Sequence, residues 1–159
     1  MVVEKPHISK KEALSLITRY CSIEERCISD TREKLNKYDL SENDIEEIIE
    51  FLKKEKYIDE VRYSAAFVND KFRFNKWGKY KITYSLKRKL IPEAIISKAL
   101  QNISDKDSKQ LLKSELQKKL KCLPKADEHI LKGKLYRFAA SRGFENDLII
   151  NAISEVLNE

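Results

Sequence analysis

The sequence predicts an all-α protein, an elongated, curved array of three tandem three-helix repeats. Only three glycines and three prolines occur among 159 residues, whereas a β-sandwich or barrel needs turn residues about every 8 to 12 positions. Hydrophobic residues make up 42% of the chain and charged residues 36%, which is too apolar for a wholly disordered protein. Helix-start signals recur, and apolar residues at the helical spacing follow them. These observations favour nine amphipathic helices.

Helix starts are predicted where a serine precedes an acidic residue by three positions, since the two side chains then accept each other's backbone N–H groups. The pairs are Ser9 with Glu12, Ser22 with Glu25, Ser41 with Asp44, and Ser104 with Asp107. The first three pairs predict the first three helices. Their apolar stripes are Ala13, Leu14, Leu16, Ile17 and Tyr20; Cys27, Ile28 and Leu35; and Ile45, Ile48, Ile49 and Leu52.

Six further helices follow from the same periodicity. They are predicted at about residues 59–74, 79–90 and 92–102, then around Leu111 to Leu120, around Ile130 to Ala139, and at about 145–157. Pro92 fits the first turn of the sixth helix, where no intrahelical N–H bond is lost. Pro124 bounds the seventh helix and Gly143 ends the eighth.

An internal repeat groups the nine helices in threes. Five apolar positions recur at offsets of 51 and 104: Leu35, Leu40, Ile45, Ile48 and Ile49; Leu86, Ile91, Ile96, Ala99 and Leu100; Ala139, Phe144, Ile149, Ala152 and Ile153. The predicted units are a flexible leader at 1–8 and repeats at 9–56, 57–103 and 104–159, with each unit completing its core against its neighbour. The alternative is that any two helical hairpins of similar length align in this way.

Charge is distributed unevenly along the chain. The net charge is +6, but residues 71–92 hold eight basic residues and no acidic one, whereas residues 41–60 hold eight acidic residues and three lysines. Five aromatic residues fall in the basic window: Phe72, Phe74, Trp77, Tyr80 and Tyr84. Basic residues interleaved with aromatics are typical of nucleic-acid binding. A solvated face over an ordinary core explains the same composition.

Several classes of function have little support in the sequence. His7 and His129 stand apart from any nucleophile or metal partner, and the three glycines are too isolated to form a phosphate-binding loop. Cys21, Cys27 and Cys122 are odd in number and scattered, which favours structural thiols over disulfides or a metal site. No apolar stretch approaches a membrane span. We therefore expect a cytoplasmic, monomeric protein without catalytic residues, metal or cofactor.

Residues 57–91 resemble the core motif of the RecX family, which regulates the bacterial recombinase RecA. The resemblance rests on the turn Tyr57-Ile58-Asp59-Glu60, the Arg62-Tyr63 pair, Ala66-Phe67-Val68, the Lys76-Trp77-Gly78 junction, and Ile82 and Leu86 before Lys87-Arg88-Lys89. It extends over about residues 9–103. Farther along, the repeat pattern and Gly143-Phe144 continue it.

The resemblance implies a non-enzymatic modulator that binds the RecA nucleoprotein filament and inhibits its ATPase, strand-exchange and co-protease activities. We then expect the protein to bind bare single-stranded or double-stranded DNA only weakly. The alternative is a helix-turn-helix-like protein that binds DNA directly, without RecA. A plain helical scaffold is a third possibility. For the first two, the predicted contact residues are Lys71, Arg73, Lys76, Trp77, Lys79, Lys81, Lys87 and Arg88.

Three positions in this region carry further expectations. Trp77 precedes Gly78, so it either packs onto Ile82 as a hydrophobic staple or is exposed to stack on a partner. Members of the RecX family usually have glycine where this chain has Asp39 and Leu90. Because leucine disfavours the left-handed conformation that glycine allows, we expect the loop at Leu90 to bend differently.

Overall fold

The computed structural model describes residues 4–159, which form nine α-helices and no strand longer than an isolated bridge between His7 and Asp39. The helices are α1 (Lys10–Ile23), α2 (Ile28–Leu35), α3 (Glu42–Lys54), α4 (Glu60–Arg73), α5 (Lys79–Arg88), α6 (Glu93–Leu100), α7 (Asp105–Cys122), α8 (Glu128–Ser141) and α9 (Asn146–Leu157). The predicted all-α fold is confirmed, and the boundaries predicted for the fourth, fifth, sixth and ninth helices lie within two residues of those observed.

Three of the four serine start signals are confirmed, and one is wrong. Ser9, Ser41 and Ser104 each accept the backbone N–H of the residue three positions later. Ser22 instead lies in the last turn of α1, where its hydroxyl donates to the carbonyl of Thr18 at 2.7 Å. Helix α2 begins after Cys27, which makes no side-chain cap. A serine in a C-terminal turn bonds backward to the preceding turn, so the spacing alone does not define a start.

Each group of three helices packs around a core of its own. The first buried cluster contains Ile17, Leu35 and Leu52, the second Val68, Ile82 and Leu86, and the third Leu112, Leu116, Leu135 and Ile149. Each helix packs on the other two of its group. The expectation that each unit completes its core against a neighbour is therefore wrong for most of the apolar surface. The exception is Cys27, which precedes α2 but belongs to the second cluster.

The fifteen repeated apolar positions supply much of these cores. All are buried except Leu40 and Leu100, which are half-buried against the first and second clusters. The same offsets relate the loop positions 39, 90 and 143. Leu90 has φ +60° and Gly143 has φ +81°, whereas Asp39 has no positive φ. The loop at Leu90 thus keeps the left-handed bend, contrary to expectation, and leaves this side chain 78% exposed.

The first and second units meet through α2 and α4. The guanidinium of Arg62 donates to the Glu25 carboxylate at 2.5 Å, and the Glu60 carboxylate accepts the N–H of Ile28 at 3.3 Å. Lys89, after α5, forms an ion pair with Asp30 of α2. These bridges involve residues on both sides of the buried Cys27 in the sequence, and they link two otherwise separate cores.

The second and third units approach each other most closely through their backbones. Gly78, the N-cap of α5, donates its N–H to the carbonyl of Arg142 at 2.7 Å, and Tyr80 donates to the carbonyl of Gly143 at 3.0 Å. A side chain has no room here. A Cβ on Gly78 would lie 2.3 Å from the Gly143 oxygen, and one on Gly143 would lie 2.3 Å from the Cβ of Lys81. We call this contact the glycine junction.

The glycine junction provides hydrogen-bond partners for backbone groups at the ends of two helices. The first amides of α5 have no intrahelical acceptor, and the last carbonyls around α8 have no intrahelical donor. Joining the two ends pairs the amides of Gly78 and Tyr80 with the carbonyls of Arg142 and Gly143. It also places the positive end of one helix dipole against the negative end of the other.

The molecule exposes more surface than a compact globule of its mass. Its accessible surface is 10430 Å² at 18.7 kDa, against about 8,300 Å² for a compact monomer of this size. Serial packing of three small cores accounts for the excess. No helix among residues 4–159 is both long and apolar enough to cross a membrane.

The predicted leader covers residues 1–8. Residues 1–3 lie outside the described part of the chain. The carbonyl of Pro6 accepts the N–H of Asp39 at 3.0 Å, and Ile8 packs against the first core cluster.

We expect Gly78→Ala to destabilise the protein by roughly 2 kcal/mol or more, because the new methyl group overlaps the Gly143 carbonyl and forces the units apart. Thermal melting followed by circular dichroism measures the change. The matched control is Gly133→Ala in α8, where an added Cβ meets only a side-chain atom of Arg137 at 3.7 Å. That control should raise stability by about 0.5–1 kcal/mol, since alanine is the better helix former. An unchanged melting temperature for Gly78→Ala would contradict the tight backbone approach.

Candidate partner-binding surface

A tight turn between α4 and α5 positions the first group of predicted contact residues. Helix α4 ends at Arg73, and Lys76 then adopts a left-handed backbone with φ +57°. This conformation reverses the chain, so the N–H of Trp77 donates to the carbonyl of Lys71 at 3.0 Å. The indole is thereby folded back onto the helix that precedes it.

Trp77 packs against the second core cluster, which includes Ile82. Its ring also contacts two cations, with the Nζ atoms of Lys71 and Lys81 at 5.0 and 4.6 Å from a ring centroid. Cation–π contacts of this kind favour a fixed ring orientation. The half-buried position fits the staple alternative, and the two lysines extend the contact from α4 to α5.

Two of the predicted contact lysines face the third unit. Lys79 forms an ion pair with Asp105 of α7 at 3.1 Å, and Lys81 donates to the carbonyl of Ser141 at 3.1 Å. Arg142 strengthens the same boundary by donating to the carbonyl of Asn75 at 2.9 Å. These contacts flank the glycine junction, so Lys79 and Lys81 contribute to holding the units together.

The side of α5 that lies opposite the buried Ile82 and Leu86 points to solvent. Tyr80 and Tyr84 are 61% and 63% exposed, and Lys87 and Arg88 are exposed beyond them. Their spacing of four and then three or four residues places them along one face of the helix. The guanidinium of Arg88 lies 5.9 Å from the Tyr84 ring centroid. We call these four residues the α5 stripe.

Surface cations near the α5 stripe make only weak internal contacts. Lys87 lies 3.5 Å from Glu93, and both side chains are more than half exposed. Such a pair contributes about 0–1 kcal/mol and exchanges easily for a contact with a partner. Arg73 is exposed at the end of α4, where it lines a cleft against α7.

The structure therefore divides the eight predicted contact residues. Arg73, Lys87 and Arg88 are exposed, whereas Lys71, Lys76, Trp77, Lys79 and Lys81 are half-buried in the turn or at the boundary with the third unit. Sequence reasoning left Phe74, Tyr80 and Tyr84 out of the set, although all three are strongly exposed. The sequence could have indicated that the two tyrosines are exposed. Their positions fall on the face of the helix opposite the buried Ile82 and Leu86.

The acidic segment at 41–60 is largely compensated within the first unit. Arg32 forms ion pairs with Glu42 and Glu46, and Lys10 does so with Asp44 and Glu47. Asp59 caps α4, and the N–H of Arg62 holds the pKa of this carboxylate below its ordinary value. This segment is thus a network of exposed pairs on α3 more than a free acidic patch.

Residues with catalytic or metal-binding potential are dispersed. No three histidine, cysteine, aspartate or glutamate side chains among residues 4–159 lie close enough to hold a metal ion. Cys21 and Cys27 are buried, and burial raises the pKa of each thiol, whereas Cys122 is exposed. A buried neutral thiol is a poor nucleophile. Cys21 and Cys27 therefore act as packing residues.

Comparison with known proteins agrees with the division of the chain into three-helix units. Models of the second and third three-helix domains of RecX match residues 59–100 and 106–153. A regulatory protein RecX from Clostridium botulinum strain Eklund 17B is 32% identical over 151 residues, which cover 94% of this chain and 68% of the relative. One from Chlorobium phaeobacteroides strain BS1 is 33% identical, with 92% and 94% covered. The chain belongs to the RecX family.

Solved RecX structures share the fold. A crystal structure of regulatory protein RecX superimposes with a TM-score of 0.84 at 24% identity, covering 94% of this chain and 73% of the other. The RecX structure from Lactobacillus salivarius gives 0.83 at 22% identity, with 94% and 97% covered. The three-unit arrangement is therefore the RecX fold, and this chain is a regulatory protein by family.

We expect Trp77→Ala to lower the melting temperature by about 6 °C, because removing the indole from the second core costs about 2 kcal/mol. Phe74→Ala is the matched control, since this aromatic lies three residues earlier and is 77% exposed. It should melt within about 1 °C of the parent. Equal effects of the two substitutions in circular-dichroism melting would contradict a packing role for Trp77.

Proposed function

We propose that the protein binds the RecA nucleoprotein filament and inhibits its ATPase, strand-exchange and co-protease activities without catalysing a reaction itself. Membership of the RecX family supports the regulatory role. The observation that carries the choice of surface is the α5 stripe, where two tyrosines and two cations are exposed together and make few internal contacts. Exposed aromatic and arginine side chains are the residues most enriched at protein interfaces.

Inhibition on this account is steric and conformational. A filament repeats its subunits along a helix, and an elongated ligand lying along it contacts more than one subunit. A molecule bound in this way opposes relative movement of those subunits and covers the DNA groove. The basic end of α5 attracts acidic side chains or DNA phosphates and steers association.

Five of the eight predicted contact residues then fall into two roles. Arg73, Lys87 and Arg88 contact the partner directly. Lys79 and Lys81 act as positioning residues, because they join α5 to the third unit. Stripping all four cations of α5 therefore disturbs the fold as well as the surface, which makes Lys87 and Arg88 the cleaner pair to test.

We expect the double substitution Lys87→Gln with Arg88→Gln to weaken filament binding by about fivefold, corresponding to about 1 kcal/mol for two exposed contacts. Stability should stay within about 0.5 kcal/mol of the parent, since both side chains are exposed. The readouts are inhibition of RecA ATPase on single-stranded DNA and circular-dichroism melting.

The control for charge alone is Lys121→Gln with Lys125→Gln, at two exposed positions of the third unit without ion pairs among the described residues. It changes the net charge by the same amount and should leave the inhibitory concentration within about twofold of the parent. If the α5 pair and this control weaken inhibition equally, net charge and not the α5 stripe determines binding.

The second candidate is direct binding to single-stranded DNA. Tyr80 and Tyr84 lie four residues apart beside Arg88, an arrangement that suits base stacking with backbone neutralisation. Electrophoretic mobility with DNA alone, RecA alone and preformed filament separates the two functions. A filament ligand binds the filament far more tightly than bare DNA, whereas a DNA-binding protein binds bare DNA with an affinity that falls steeply with salt.

A further inference from the structure

An open apolar groove lies between α8 and α9 in the third unit, away from the α5 stripe. Its volume is about 800 Å³, and its lining includes Ile130, Tyr136 and Ile150. These side chains are 46%, 39% and 53% exposed. The hydroxyl of Tyr136 donates to Asn146 at 2.7 Å, so its polar atom is satisfied and the ring presents an apolar face. Such a concentration of exposed apolar side chains is typical of an interaction site.

Gly133 lies in this groove, inside α8. A glycine in a helix interior costs about 0.5–1 kcal/mol relative to alanine. The fold does not require it, because a Cβ there would meet only a terminal guanidinium nitrogen of Arg137 at 3.7 Å. The missing side chain instead opens the helix surface toward solvent. A second helix packs more closely where its neighbour has a small residue.

The charged side chains that line the groove are Lys132 and Arg137, and no acidic side chain lines it. Glu128 pairs with Lys132 at 2.5 Å, but Arg137 is exposed and makes no ion pair among residues 4–159. A second copy of the chain would bring two such basic rims together. The electrostatic complement is an anionic partner.

We propose that the α8–α9 groove docks an amphipathic helix of a partner protein, with apolar residues facing Ile130 and Ile150, acidic residues facing Arg137, and its closest approach at Gly133. An apolar stripe laid into a groove between two helices is a common mode of helix recognition. This docking is independent of the α5 stripe, so failure of either proposal leaves the other standing.

The test uses the full chain and a fluorescein-labelled synthetic peptide of about 15 residues. Leucines at positions i, i+3, i+4 and i+7 form its apolar stripe, and glutamates flank the stripe. A second peptide replaces every glutamate by lysine. Fluorescence anisotropy should show the acidic peptide binding at least about tenfold more tightly than the basic one.

Two variants locate the binding. Gly133→Leu fills the groove and at the same time improves helix propensity, so circular-dichroism melting should show a folded protein at least as stable as the parent. Gly133→Leu should weaken binding of the acidic peptide by more than about tenfold, and Arg137→Glu should weaken this binding by about tenfold. The matched control is Lys121→Glu, at an exposed position of α7. It should change the affinity for the acidic peptide by less than about twofold.

Three results would overturn the proposal. Equal affinities for the two peptides would remove the acidic specificity. Undiminished binding to Gly133→Leu would move the peptide to another surface. Concentration-dependent dimerisation in sedimentation equilibrium, abolished by Gly133→Leu, would assign the groove to a second copy of the chain.

Discussion

The glycine junction is the constraint on which the arrangement of the second and third units depends. Two helix ends meet through main-chain hydrogen bonds, since the N–H groups of Gly78 and Tyr80 donate to the carbonyls of Arg142 and Gly143. Each core closes within its own three helices, so little apolar surface is left to fix the units relative to one another. Main-chain hydrogen bonds supply that orientation instead, together with the flanking side-chain contacts of Lys79, Lys81 and Arg142. Because α5 begins at this contact, the direction of the α5 stripe is set by it.

The same contact explains why a run of basic residues is not one uniform surface. Lys79 and Lys81 flank the junction and bind Asp105 and the Ser141 carbonyl, while Trp77 lies between lysines of α4 and α5. Charge in the sequence measures how many cations are present. The fold decides which of them are committed internally and which remain for a partner.

Sequence patterns predicted the helices and their grouping well, because amphipathic stripes and capping residues act locally. The five-position repeat located 13 of the 27 buried hydrophobic residues among residues 4–159. Local patterns do not show remote contacts. Gly78 must lack a side chain because its backbone meets Gly143, which lies 65 positions away in the sequence. The expectation for the loop at Leu90 was wrong for another reason. The hydrogen bonds of this loop hold the leucine in a left-handed conformation that it disfavours.

Amide hydrogen exchange at the start of α5, followed by NMR, tests the junction most directly. The first amides of a helix ordinarily exchange fast because they have no intrahelical acceptor. Here Gly78 and Tyr80 donate across the unit boundary, whereas Lys79, between them, has no acceptor among the described residues. We predict slow exchange at Gly78 and Tyr80 and fast exchange at Lys79. Fast exchange at all three, with Ile82 of the same helix still protected, would contradict the account.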